Sequence, residues 1–411
     1  MWNIAPIAHA LWHRKTGALL IATQVALTLA ILCNALGVVL DRRDQATRPT
    51  GTDEANLFFL QVITPGEDKD PFGTQRAAEA LLRAVPGVRE AQWVNQVPLS
   101  NSGSSSGMSS EDGKTRFLNS AHYSTGGSLV QAFGLKLVQG RDFTPDEYAE
   151  LDLRRSRQPP TQAMVTRALA EELYPGAASV VGRRMRWGIG DDDPVVTIIG
   201  VVDRLVGPWG RAEWLAGDRY GERAFITAVR TNERETYAVR TEPGQRDRVQ
   251  REAAARLQAA VPGRILLNNR SLEQTREMRY RGERWLVGLL LVVTGLLLVM
   301  TAAGIVGLAS LWVTQRRRQI GVRRALGARR IDIVWHFVLE NGMITWVGVV
   351  AGLTLAVALN SGLTRWTALP PLQWPVLLGG ALLMPLLGVL AVLGPALRAA
   401  HVSPAEATRS T

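Results

Sequence analysis

The chain has 411 residues, of which 46% are hydrophobic and 20% charged, and its formal net charge is +11. A mean hydropathy of +0.03 is high for a soluble protein and low for a bundle made only of membrane helices, which predicts a chain that is part membrane and part soluble. Residues 41–284 carry 35 basic and 33 acidic side chains, so most of the excess positive charge lies beside apolar runs elsewhere. Positive charge beside apolar runs indicates how the chain is oriented in a membrane, and we expect no nucleic-acid partner.

The first 40 residues predict a short interfacial helix over 1–16 and a charge-free membrane span over 17–40. Basic residues before the span place the N-terminus in the cytoplasm. His9 and His13 have metal-compatible spacing but no third ligand nearby, so we expect no metal site. Cys33, the only cysteine, excludes an internal disulfide, and we expect neither a lipid anchor on it nor a cleaved signal peptide.

Residues 41–284 alternate strand and helix patterns and predict one α+β domain. Two β-α-β units, in 41–100 and 225–280, share the tetrapeptide Ala-Val-Pro-Gly after their helices, which predicts that they pair into one bipartite subdomain. Residues 101–224 are then an insertion. At its start, Asn101–Gly113 is rich in Ser and Gly and is predicted to be a mobile loop.

Three further apolar runs predict membrane spans at 285–314, 333–364 and 366–397. The first is longer than a bilayer requires, which indicates a tilt or an extension beyond the membrane as a stalk. With four spans and a cytoplasmic N-terminus, the domain 41–284 lies outside and the tail 398–411 lies inside.

Between the second and third spans, residues 315–332 contain seven arginines and one acid, Asp332, which places this segment in the cytoplasm. Phosphate or lipid binding would require only the charge. The small residues among the arginines favour a helix held against a groove on a protein. Glu340 is an acid inside the following span; an ion pair with an arginine of this segment is preferred over a proton or substrate site.

The remaining sequence contains only fragments of catalytic motifs. Gly113-Lys114-Thr115 lacks the upstream glycine of a phosphate-binding loop, because position 108 is Met. Asp191-Asp192-Asp193 is expected to be a solvated turn rather than a Ca²⁺ site. His122, Tyr123 and Ser124 have no visible triad partner. We therefore expect no enzyme activity and no bound cofactor or metal.

Taken together, these features resemble the MacB/FtsX-like permeases of type VII, or mechanotransmission, ABC transporters. Residues 317–333, followed by Leu339-Glu340, are similar to the signature between the second and third spans of that family, and 395–407 is similar to its ending. Residues 133–143, 169–176, 181–184 and 199–203 resemble its periplasmic core domain. The family usually has an acid at the position of Gln319, and the first span differs from that of MacB and is more similar to paired, non-identical permeases.

The resemblance implies an α-helical membrane protein with four transmembrane helices and a large extracytoplasmic α+β domain. In that domain a porter-like part (41–100 and 225–280) carries a Sabre-like insertion. It implies a bacterial inner-membrane dimer, or a pair with a homologous permease, over two separate ABC ATPase subunits that bind ATP and Mg²⁺. Membrane lipid, a periplasmic adaptor and an outer-membrane duct are further implied partners. The implied ATPase-coupling residues are Arg317, Arg318, Gln319, Ile320, Gly321, Arg323, Arg324, Ala325, Leu326, Gly327 and Ala328, with Glu340 in a coupling ion pair.

Four functions stay open at this point. The leading hypothesis is efflux of a peptide, antibiotic or similar amphiphile from the periplasm. The others are lipoprotein extraction, signal transduction to a periplasmic or sensory partner without transport, and a membrane-anchored binding domain. The last leaves three of the spans and the arginine signature without a role.

Overall fold

The computed structural model describes residues 15–66, 68–115, 117–152, 160–188, 193–210, 218, 221–232, 235–366 and 371–401. The chain divides into two compact units, one formed by 1–44 with 283–411 and the other by 45–282. The interfacial helix predicted over 1–16 and the tail predicted over 398–411 lie mostly outside the described residues, and His9, His13, Asp191 and Asp192 lie outside them.

In the described part of the chain, four helices are long and apolar enough to cross a membrane. We label them α1, α6, α8 and α9, in chain order. Helix α6 contains the whole predicted span 285–314 and begins 13 residues before it, so its 44 residues extend over about 66 Å. The bounds of the four helices are α1 Lys15–Thr47, α6 Leu272–Gln315, α8 Arg330–Trp366 and α9 Trp374–Ala400.

Glycines on α8 allow it to approach α1 closely. A Cβ at Gly348 would lie 2.8 Å from the carbonyl oxygen of Ala22, and one at Gly352 would lie 2.9 Å from that of Ala26. The two glycines are four residues apart on one face, the spacing with which membrane helices bring their backbones together. Helices α1 and α6 are joined by a buried hydrogen bond of 2.8 Å between the hydroxyls of Thr28 and Thr301.

The second unit contains a four-stranded antiparallel sheet in the order β13-β1-β12-β2. Each predicted β-α-β unit supplies two of these strands and one helix, giving a split β-α-β arrangement. Helices α2 and α5 pack on one face of the sheet over a buried core that includes Phe58, Trp93 and Tyr237. The elements are β1 Leu57–Ile63, α2 Pro71–Arg83, β2 Val88–Trp93, β12 Glu235–Thr241, α5 Arg246–Ala259 and β13 Ile265–Ser271.

The chain between β2 and β12 forms a second sheet, in the order β5-β9-β7-β10-β4-β3-β8. Because β8 also pairs with β9, six of its strands close into a barrel, which protects their edges. The short strands β6 and β11 pair separately. The elements are β3 Ser105–Ser110, β4 Leu118–Ser124, α3 Leu129–Phe133, β5 Leu137–Gly140, β6 Ala149–Leu151, β7 Gln162–Thr166, α4 Arg167–Leu173, β8 Arg184–Trp187, β9 Val195–Val202, β10 Ala224–Thr227 and β11 Val229–Thr231.

Two sequence predictions differ from this arrangement. The segment predicted as a mobile loop contains β3, whose residues pair with β4 on one side and β8 on the other. Met108 is buried in the barrel core, and its two serine neighbours Ser109 and Ser110 are buried as well, so this half of the segment belongs to the interior. The second half of the bipartite subdomain begins at β12, not at residue 225, because Phe225 and Ile226 pair with β7 and β4 of the barrel.

A buried ion pair links the two parts of this unit. The Arg230 guanidinium, next to the barrel, donates to the Glu79 carboxylate on α2 at 2.7 Å, and both side chains are almost fully buried. Glu79 also accepts from the backbone N–H of Trp93, and Arg230 donates to Gln75. Removal of either partner would leave a buried charge without its counterion.

Candidate functional site

The arginine-rich segment between α6 and α8 folds into a short helix, α7 (Arg317–Ala325). Its C-terminus closes in a Schellman motif, in which Gly327 N–H bonds to the Arg324 carbonyl and Ala328 N–H to the Arg323 carbonyl, each at 3.1 Å. Gly327 has φ +96°, a left-handed conformation that disfavours a side chain. This turn therefore explains Gly327 by backbone geometry rather than by close packing.

The next helix starts with a capping interaction of its own. The Asp332 carboxylate accepts a hydrogen bond from the backbone N–H of Arg329 at 2.9 Å. An acid in the first turn also interacts favourably with the N-terminal end of a helix. The single acid of the segment thus marks where α8 begins, and the connection from α7 to α8 is a defined turn.

One side of α7 packs into the membrane unit. Ile320 and Gly321 are buried, and Ile320 belongs to the apolar core that α1, α6, α8 and α9 share. Arg324 is partly buried, and its guanidinium donates to the carbonyl of Ala400 at 3.1 Å, at the C-terminal end of α9. A cation at this position donates to a carbonyl that has no partner within the helix, and it interacts favourably with the negative C-terminal end of the helix dipole. Ile320, Gly321 and Arg324 therefore hold α7 within its own chain.

The other side of α7 is exposed and combines apolar and cationic groups. Leu326 is 83% exposed and Val322 is 49% exposed. The predicted coupling residues Arg317, Arg318, Gln319, Arg323 and Ala325 are partly or fully exposed as well. Leucine with so much of its side chain in solvent, surrounded by arginines, is typical of a surface that another protein covers.

Glu340 of α8 forms a two-point ion pair, through its carboxylate, with the guanidinium of Arg316. The oxygens lie 2.6 and 2.9 Å from the two terminal nitrogens. The Glu340 residue is only 2% exposed. Arg316 precedes α7 and is absent from the predicted coupling residues. A buried acid near the end of a span requires a cation at the same depth, and that requirement could have identified it.

The other motifs considered in the sequence occupy structural positions rather than catalytic ones. Gly113-Lys114-Thr115 lies in the turn between β3 and β4, and no helix follows it to complete a phosphate-binding loop. The His122 ring bonds to the hydroxyls of Thr227 and Ser124 at 2.9 and 3.1 Å. Burial lowers the pKa of His122 to about 3. The described residues contain no group of three metal-ligating side chains.

Sequence comparisons match both parts of the chain. Residues 20–256 match the family model of the MacB-like periplasmic core domain, and residues 291–404 match that of the FtsX-like permease C-terminal region. The uncharacterized ABC transporter permease YknZ of Bacillus subtilis is 34% identical over 28% of this chain and 30% of its own length. The macrolide export ATP-binding/permease protein MacB of Chromobacterium violaceum is 26% identical over 71% of this chain and 43% of its own length.

In both relatives the matched part is less than half of the relative's length. Among solved structures, the extracellular domain of the YknZ transporter from Gram-positive bacteria aligns with a TM-score of 0.32 and 15% identity. This alignment covers 51% of this chain and all of that domain.

Proposed function

Since this chain belongs to the family of MacB-like and FtsX-like permeases, we propose that it is the membrane subunit of an ABC transporter. In this proposal a separate ABC ATPase docks on the exposed side of α7 and drives a conformational change in the chain. The observation that carries the proposal is the exposed Leu326, together with Val322, in the middle of an arginine cluster. An apolar anchor surrounded by charge favours a specific protein groove over bulk lipid headgroups.

The contacts of α7 support a mechanical role. Arg316 is bonded to Glu340 of α8, and Arg324 is bonded to the end of α9. A force applied to α7 would reach two membrane helices through these bonds and through the buried Ile320. Coupling of this kind is carried by physically connected, packed elements, and these contacts make α7 such an element.

The arrangement in the cell is proposed on the arginine distribution and the family. The chain lies in the bacterial inner membrane with both ends in the cytoplasm and residues 45–282 in the periplasm. It forms a dimer with itself or with a paired permease, over two ATPase subunits that bind ATP and Mg²⁺. An adaptor and an outer-membrane duct complete the assembly if the cargo leaves the cell.

The proposed cargo is a peptide, antibiotic or similar amphiphile taken from the periplasm, since one relative is named as a macrolide export protein. The corresponding experiment compares a deletion strain with a complemented strain for antibiotic tolerance, peptide secretion and release of periplasmic lipoproteins. Changed tolerance or secretion supports export. Changed lipoprotein release alone assigns extraction, and no change in any of the three rejects transport.

Docking can be tested by placing a photo-crosslinking amino acid at Leu326 in the full chain in its native membrane. We expect a crosslink to a protein that carries a phosphate-binding loop and an ABC signature. Phe117 is the matched control, because it is 54% exposed but belongs to the other unit. A crosslink to lipid only, or the same partner from both positions, would reject the docking site.

A second experiment measures ATP turnover by the assembled complex. Arg318→Glu with Arg323→Glu should abolish the stimulation of turnover by this chain, because both side chains are exposed and face no acid on α7. Arg324 is excluded from this pair since it bonds to Ala400. Unchanged turnover would show that the exposed arginines do not contact the ATPase.

A further inference from the structure

A cavity of about 310 Å³ lies in the second unit, on the face of the four-stranded sheet that α2 and α5 leave uncovered. Its floor combines Phe59 and Gln61 of β1 with Asn268 and Arg270 of β13. Asn268 and Gln61 are paired in register and joined by a 2.9 Å hydrogen bond between their amides. The floor therefore presents two fixed amides and a cation side by side, next to the largely buried ring of Phe59.

One wall of the cavity is a strained loop. Leu99 and Asn101 both line it and have φ angles of 60° and 62°, in the left-handed region that side chains usually avoid. Backbone bonds hold them there, from Leu99 N–H to the Gly207 carbonyl at 3.3 Å and from Asn101 N–H to the Pro208 carbonyl at 2.8 Å. Strained backbone of this kind concentrates at ligand sites, where it fixes groups in advance.

A second wall is the first part of α6, which contributes Met278 and Arg279. The Arg279 guanidinium donates to the carbonyl of Trp209 at 2.8 and 3.2 Å, so it is held in place. Arg270 is exposed and, among the described residues, has no hydrogen-bond or ion-pair partner. The described side chains that line the cavity thus include two arginines and no acid.

We propose that this cavity binds a small amphiphile with a carboxylate or phosphate head group. The head group binds to the Arg270 guanidinium, with further hydrogen bonds from the amides of Asn101 and Asn268. Guanidinium bonds to both kinds of oxyanion in a two-point geometry. The apolar part of the ligand lies against Phe59, Val97 and Met278. Apolar walls with a few convergent polar groups are the usual composition of small-molecule sites.

This inference is independent of the docking proposal, because it concerns the other unit and its test needs no ATPase. The full chain is placed in lipid nanodiscs and titrated with four soluble probes that share a six-carbon tail: hexanoate, hexyl phosphate, hexanamide and hexylamine. Calorimetry or ligand-observed NMR measures the affinities. We expect one or both of the acids to bind, and the tighter of the two identifies the head group.

Loss of the charge should weaken binding strongly. We expect hexanamide to bind at least about tenfold more weakly than the tighter acid, because a hydrogen bond to a charged group contributes more than a neutral one. Arg270→Gln should produce a similar loss. Arg251→Gln, an exposed arginine on α5 outside the cavity, should change nothing. Met278→Trp fills the cavity without changing charge and should abolish binding of both acids.

Three results would overturn the proposal. The first is that hexanamide or hexylamine binds as tightly as the acids, and the second is that Arg270→Gln keeps the affinity. The third is that neither acid binds at millimolar concentration. The comparison of the four probes uses the unmodified chain, so it decides the matter even if a variant fails to fold.

Discussion

Arg316, directly after α6, and Glu340, within α8, form a two-point ion pair with nitrogen–oxygen distances of 2.6 and 2.9 Å. The Arg316 side chain is 13% exposed and that of Glu340 is 3% exposed. The pair binds the residue that follows α6 to the early turns of α8, and α7 lies between them in the chain. The position of α7 is therefore defined by a buried ion pair as well as by apolar contacts.

Removal of one member of this pair should cost more than removal of both. Arg316→Gln or Glu340→Gln leaves a buried charge without its counterion, which typically costs about 3–5 kcal/mol. In the double variant both groups are neutral, so the loss of stability should be smaller than the sum of the single losses. Thermal unfolding of the four proteins in one lipid system gives the coupling energy. Additive losses would show that the pair is solvated.

Arg323 and Arg324 are adjacent but should behave differently. Arg324→Ala removes the donor to the Ala400 carbonyl, so the last turn of α9 should open more often and exchange its amide hydrogens faster. Arg323→Ala leaves that bond intact and should not change exchange in α9, although it should weaken the proposed docking of an ATPase. Hydrogen-exchange mass spectrometry of peptides near residue 400 makes the comparison. Equal exchange in both variants would contradict the assignment of Arg324.

The glycines of the membrane unit should tolerate substitution very unequally. Gly348→Leu places a side chain against the backbone of Ala22 and the side chain of Val25, so it should separate α1 from α8 and lower the unfolding temperature strongly. Gly307→Leu is the matched control on α6, because a Cβ added there would meet no atom within 4 Å. Thermal unfolding in nanodiscs distinguishes the two. A control variant as unstable as Gly348→Leu would mean that the α6 surface is also tightly covered.

The pKa of His122 gives the second unit a predictable pH dependence. Burial lowers the pKa of His122 to about 3 in the folded protein, whereas the unfolded chain has an ordinary histidine pKa near 6.5. Between pH 6.5 and pH 3 the unfolded chain therefore binds a proton at His122 and the folded protein does not. The contribution of neutral His122 to the free energy of unfolding is complete above about pH 6.5. It is lost as the pH falls, at no more than about 1.4 kcal/mol per pH unit.

His122→Gln keeps a polar group beside Thr227 and should reduce this slope between pH 6.5 and pH 4. His401→Gln, at the exposed end of α9, should leave it unchanged. The free energy of unfolding of the three proteins, measured over that pH range, provides the test. Parallel pH profiles for the wild type and His122→Gln would place the pH dependence on other groups.

The sequence alone determined the four membrane helices, the two β-α-β units and the family. Each of these depends on local properties: the length of an apolar run, the strand and helix periods, and the run of arginines between two spans. Such properties depend only on residues that are close in sequence, so they can be recognised without knowledge of distant contacts. The same holds for the assignment of α7 as a helix rich in exposed cations.

Only the tertiary structure decided how those arginines differ. Arg324 and Ala400 meet because helices far apart in sequence pack together, and no local pattern specifies that pair. The acid within the span, Glu340, predicts an arginine partner from the segment 315–332, but only the packing of the helices selects Arg316. The loop prediction for β3 is wrong because its Ser and Gly residues have low strand propensity, which pairing on both edges overrides. The cavity beside Arg270 likewise exists only because β1, β13, a strained loop and α6 converge, and convergence is a property of the fold.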